Sequence, residues 1–93
     1  MKMLLVSYDI ESDKVRTKFS KFLGKFGYRL QFSVFEIKNS DTVLHNIKTE
    51  IENNFMKLFT ENDSVIIFEL SETCKKTCYG YAKNQDTDLL IVT

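Results

Sequence analysis

Residues 28–37 read Tyr-Arg-Leu-Gln-Phe-Ser-Val-Phe-Glu-Ile, and how they are parsed decides the fold. Tyr28, Leu30, Phe32 and Val34 alternate with Arg29, Gln31 and Ser33, the period-two pattern of a strand with one apolar face. Phe35 and Ile37 then put apolar groups on the face that had been polar. Because side chains alternate strictly along a strand, this switch requires a bulge, a bend or two short strands meeting near Ser33 to Phe35. We read two short strands. No Asn-Gly or Asp-Gly stands between them, so the connection has to be tight.

Working outward, Val15, Phe19, Phe22, Leu23 and Phe26 recur at helical steps before this pair, with Ser12 or Asp13 as N-cap and Gly27 as the terminating residue. Ahead of that helix, Met3 to Ile10 is nearly all apolar, which reads as a strand covered on both faces. After the strand pair, Asn39, Ser40 and Asp41 supply cap chemistry for a second helix, whose stripe is Leu44, Ile47, Ile51, Phe55 and Leu58. Val65 to Leu70, broken only by Glu69, reads as another covered inner strand. Residues 71–87 carry no clear period, and Asp88 to Thr93 ends the chain as a short strand.

The order strand, helix, strand, strand, helix, strand predicts an α+β, ferredoxin-like βαββαβ sandwich spanning residues 1–93 as one domain. Two helices cover one face of such a sheet and leave the other bare. Apolar residues on both sides of the first and fourth strands therefore call for a partner, and a second copy about a two-fold axis is the expected cover. A chain of 93 residues buries only about two thirds of its unfolded surface, which adds to that need.

Thirteen basic and thirteen acidic side chains cancel, which disfavours a strongly basic, freely binding nucleic-acid protein. The charge is uneven, however. Lys14, Arg16, Lys18, Lys21, Lys25 and Arg29 face only Glu11 and Asp13 between residues 11 and 30. That helix face can track phosphates, or be an ordinary solvated surface. The apolar N-terminal run is interrupted by Asp9 and is too short for a signal peptide or a bilayer span, so no membrane role and a cytoplasmic location are expected. Cys74 and Cys78 with a distant His45 do not make a zinc site; reduced thiols and a partly exposed helical histidine are expected.

Asp9 is the chemical candidate. A carboxylate closing an apolar strand costs desolvation unless a cation, a basic side chain or a helix N-terminus pairs with it. It can equally flank the following helix with Glu11, Ser12 and Asp13. One carboxylate cannot hold Mg²⁺ alone, but two, brought together by a two-fold axis at the ends of the first strands, can. A bridging Mg²⁺ would then activate water against a phosphodiester.

Ser7-Tyr8-Asp9-Ile10, then Asp13 and Arg16, Gly27, Arg29, Gln31 and Ser33-Val34-Phe35-Glu36, together resemble CRISPR-associated protein 2, the small dimeric subunit of spacer acquisition. By motif the resemblance covers residues 3–37. It implies a ferredoxin-like homodimer that bridges CRISPR integrase subunits and holds duplex DNA, with the terminal strand near 88–93 pairing with the partner protomer. It also implies a Mg²⁺-dependent endonuclease on RNA or DNA, with Asp9 as catalytic residue and metal ligand. In the adaptor reading Lys14, Arg16, Lys18, Lys38, Lys75 and Lys76 touch phosphates. A stand-alone metal-dependent nuclease is the alternative. A base-stacking RNA module of the same topology would need exposed aromatics on the sheet, for which Tyr8 and Phe68 are the candidates. A small-molecule regulatory domain lacks a ligand-shaped glycine loop.

Overall fold

A computed structural model describes residues 3–75, 77, 79 and 80. The elements run β1 (Met3–Asp9), α1 (Asp13–Leu23), β2 (Gly27–Gln31), β3 (Val34–Lys38), α2 (Asp41–Glu50) and β4 (Ser64–Leu70). They form one four-stranded antiparallel sheet in the order β2-β3-β1-β4. This is the ferredoxin-like arrangement, an α+β fold in which α1 carries the chain past the position that β3 fills and α2 carries it over β1. Residues 28–37 do form two strands, joined through Phe32 and Ser33, with a bulge between Arg29 and Gln31. The bulge and turn together absorb the change of face seen in the sequence.

Side chains cap both helices. The Val15 amide donates to Ser12 Oγ at 3.3 Å, and the Val43 amide donates to Ser40 Oγ at 3.2 Å, each satisfying a first-turn donor that the helix cannot. α1 stops at Leu23 with Gly24 as its C-cap, three residues before the glycine expected to end it. Gly27 instead opens β2. A Cβ there would stand 2.1 Å from the Glu36 carbonyl oxygen, so the close approach of β2 to β3 requires glycine.

α2 runs into a single π turn, Ile51–Phe55, closed by the Met56 amide donating to the Ile51 carbonyl at 2.8 Å. The wider turn shifts the phase of the residues after it. Leu58, expected in the buried stripe, is 42% exposed, and Phe59 turns inward against the core in its place.

The core lies between the helices and one face of the sheet, where Leu4, Val6, Tyr8, Phe35 and Ile37 meet Phe19, Leu23, Ile47, Ile51 and Phe55. Phe19 is its centre: its ring packs edge-on to Tyr8 and Phe55 at 5.1 and 4.9 Å between centroids, and Phe22 and Phe59 lie next to it. Such edge contacts add to the area each ring buries.

The other sheet face is not closed by the described residues. Met3, Leu5 and Ser7 of β1 are half-buried there, whereas Leu4, Val6 and Tyr8 are buried, so β1 is covered on one face only. β4, expected as an inner strand, is the edge of the described sheet, with Ile66 and Phe68 52% and 46% exposed. Toward β3 the same face closes: Glu36, opposite Leu5, is buried and accepts a hydrogen bond from the Tyr28 hydroxyl. The terminal strand expected at 88–93, together with Lys76 and Cys78, lies outside the described residues. Cys74 is exposed and unpaired as a thiol, in a turn rather than a helix, and His45 is exposed on α2.

Candidate functional site

Three chain segments converge where β1 ends: the β1–α1 loop, the β2–β3 turn and the start of β4. Asp9 is the last residue of β1, is exposed, and pairs across the sheet with Ser64 of β4. On its other side the β1–β3 ladder continues past Ser7 and Val34, since the Tyr8 amide donates to the Ser33 carbonyl at 3.1 Å. Asp9 shares its strand face with Leu5 and Ser7, so it belongs to the open side of the sheet.

Tyr8, one residue earlier, points the opposite way. It is buried against Phe19 and Phe35, not exposed for stacking as the sequence allowed, and its hydroxyl donates to the Phe32 carbonyl at 3.4 Å. Burial raises the Tyr8 phenol above its ordinary range; the charges of Arg29 and Arg16 and a hydrogen bond from Arg29 pull the other way. The phenol therefore stays protonated as a donor at neutral pH.

Two guanidinium groups frame this corner. Arg16 Nη1 donates to the Ile10 carbonyl at 3.0 Å, a second nitrogen pairs with Asp13, and the group lies 5.8 Å from the Phe32 ring centroid. Arg29 sits 5.4 Å from the centroid of Phe35. In the sequence Arg29 stands out only as local charge and as part of a motif; its place beside Tyr8 comes from the β2–β3 register, which sets it opposite Phe35.

The β1–α1 loop is tied to the β4 side by Asp63. Its two carboxylate oxygens accept the Glu11 and Thr60 amides, both at 2.9 Å, and the Asn62 side-chain amide reaches Glu11 Oε2 at 3.3 Å. These amide donors, Glu11 first, hold the Asp63 carboxyl below the usual carboxylate range. In the sequence Glu61 to Ser64 read only as a turn; the 52-residue separation between Asp63 and Glu11 hides the link from any local pattern.

The basic candidates do not form one patch. Lys14 and Arg16 lie in the first turn of α1, near Asp9. Lys18 joins Lys21 and Lys25 along a groove between the helices floored by Phe22, Phe55 and Leu58. Lys38 pairs with Met3, six residues along β1 from Asp9, or about 20 Å at strand rise. Lys75 follows β4, which leaves the sheet at that same Met3 end. Among the described residues no group of three His, Cys, Asp or Glu side chains is placed to hold a metal ion. No helix among them is long and apolar enough to cross a membrane.

Comparison with known proteins agrees with this architecture. The family model described as CRISPR associated protein Cas2 matches residues 1–78. A protein of Methanospirillum hungatei named CRISPR-associated endoribonuclease Cas2 2 is 35% identical over 75 residues, covering 81% of this chain and 80% of its own. A like-named protein of Nitrosomonas europaea is 36% identical over 81 residues, covering 86% of this chain and 68% of its own. A crystal structure of a Cas2 protein superposes with a TM-score of 0.70 at 23% identity, over 88% of this chain and 90% of the other. A hypothetical protein from Thermus thermophilus superposes at 0.68 and 24% identity, over 83% of this chain and 90% of its own. The last two carry the fold.

Proposed function

The chain belongs to the CRISPR-associated protein Cas2 family, and from that premise we propose that it acts in spacer acquisition as a homodimer that bridges integrase subunits and holds duplex DNA. Membership gives it a CRISPR-associated role, and its relatives are named endoribonucleases. The adaptor role, the dimer and the metal are our reading.

The observation that carries it is the position of Asp9. It stands exposed on the sheet face that the described residues leave uncovered, in line with Leu5 and across from β4, whose Ile66 and Phe68 are exposed on that same face. A second copy seated there would bury the apolar residues and bring two Asp9 carboxylates toward one axis. Two carboxylates with waters are the complement that Mg²⁺ commonly takes, so the pair suits the ion better than one carboxylate does. Such an ion would supply Lewis acidity at a phosphodiester oxygen.

The chain's own groups would do the remaining work. Arg16 and Arg29 flank the strand end and offer guanidinium donors to phosphate oxygens. Asp63 fixes the loop just after Asp9. Lys14, with Lys18 one helical turn on, would extend the phosphate contacts, which position a strand without reading its sequence. Lys38 and Lys75, at the far end of the sheet, would touch a duplex only if it spans the molecule, which is what an adaptor requires; Lys76 is assigned the same role.

Asp9→Ala tests the reading and separates it from a stand-alone nuclease. The expected result is a dimer by light scattering that still captures duplex DNA and the integrase subunit but has lost Mg²⁺-dependent cleavage. A variant that loses DNA capture together with cleavage favours the stand-alone enzyme, and a wild-type monomer removes the paired carboxylates.

A further inference from the structure

The turn between β2 and β3 carries a large aromatic residue that the fold does not bury. Phe32 is 66% exposed, more than any other large apolar side chain among the described residues. Leaving such a ring in water is unfavourable, and a polar residue would serve a two-residue turn as well. Yet its surroundings are well fixed. Its carbonyl accepts from the Tyr8 hydroxyl, the Arg16 guanidinium lies 5.8 Å from its ring centroid, and Arg16 is itself held by the Ile10 carbonyl and Asp13. Arg29 adds a second guanidinium on the same corner, beside Tyr8 and Phe35.

A presented aromatic ring next to two guanidinium groups has the composition that takes a nucleobase on its face and the adjoining phosphate on its cations. We propose that Phe32 is a stacking subsite for one unpaired nucleobase, with Arg16 and Arg29 holding the flanking phosphate. This rests on the nucleic-acid reading above and narrows it: a base held in a duplex is paired and stacked on its neighbours, so the ring takes an unpaired base. The corner therefore selects strands that present an unpaired nucleotide.

The test uses the full chain in EDTA, so that binding is measured without cleavage. The probes are a twelve-nucleotide single-stranded RNA containing 2-aminopurine, a DNA of the same sequence, and the blunt duplex of that DNA. The wild-type chain is expected to change 2-aminopurine emission on at least one single strand. Phe32→Ala should weaken that single-strand binding by about 5- to 150-fold, the range for losing one base–aromatic stack. Duplex affinity should stay within about twofold, since phosphate contacts alone carry it. Phe32→Trp should restore the lost affinity, and gel filtration should give one elution volume for all three proteins. Equal loss on single strands and duplex, no loss on either, or a changed elution volume overturns the stacking subsite alone. A wild-type chain that binds none of the probes overturns the nucleic-acid reading together with it.

Discussion

The two faces of the sheet start from similar residues and end differently. On one, Leu4, Val6, Tyr8, Phe35 and Ile37 are sealed by two helices and a cluster of phenylalanine rings. On the other, Met3 and Leu5 are half-buried, and Ile66 and Phe68 remain about half exposed. Apolar content alone therefore does not say what closes a face. What distinguishes them is the polar inventory: the closed face buries one polar group, the Tyr8 hydroxyl, with an acceptor in Phe32, and keeps Arg29 and Glu69 exposed on its edge strands, while the open face carries Asp9 at its rim and buries Glu36 within it. Under the proposed function, a face that keeps a carboxylate among exposed apolar residues serves as an interface with chemistry at its edge and not as a second core.

The contrast breaks most sharply at Phe19. Phe19→Ala removes a fully buried ring touching four others and should cost about 3–5 kcal/mol, read as a lower urea midpoint at unchanged slope. For a domain of this size that approaches complete loss of the folded state. Ile66→Asp on the open face should act differently. Folding of the isolated chain should change by less than about 1 kcal/mol, as for an exposed position, while self-association measured by sedimentation weakens at least about tenfold. Unchanged association after Ile66→Asp would mean that this face is not where two copies meet.

The closed face also shows how far the sequence could be read. Element order, both caps and the strand pair at residues 28–37 come from local rules, because period and cap chemistry act within a few residues. The phase of the second helix does not. Leu58 continues the helical step from Phe55, but the π turn inserts extra backbone and hands the inward position to Phe59. Phe59→Ala should accordingly destabilise the chain by about 2–3 kcal/mol, and Leu58→Ala by under about 1 kcal/mol, in thermal or urea unfolding. The site was legible in part. Asp9 stands out in the sequence because a charge closes an apolar strand. Arg29, Phe32 and Asp63 do not, since each acquires its place through pairing with a distant segment. The edge position of β4 was hidden for the same reason: a continuous apolar run looks alike in an inner strand and in an edge strand that awaits a partner.

The smallest expected effect lies at the rim where the two faces meet. Asp63→Asn keeps one acceptor oxygen but turns the other into an amide donor facing either the Glu11 or the Thr60 N–H, so one of two hydrogen bonds and the charge are lost. Because the Asp63 carboxyl is depressed in the folded chain, mainly by the Glu11 amide, its contribution is fully present above the ordinary aspartate range near about 3.9. It is lost as pH falls through the lower, folded value. Hydrogen exchange at the Glu11 amide should thus be faster in Asp63→Asn than in the wild type at neutral pH, and the two should converge in acid. Equal protection at neutral pH would show that the carboxylate does not hold the loop. If it does hold it, the Mg²⁺-dependent cleavage proposed above should fall by less in the variant than in Asp9→Ala, because the proposed metal-binding carboxylate stays in place and only the segment behind it is released.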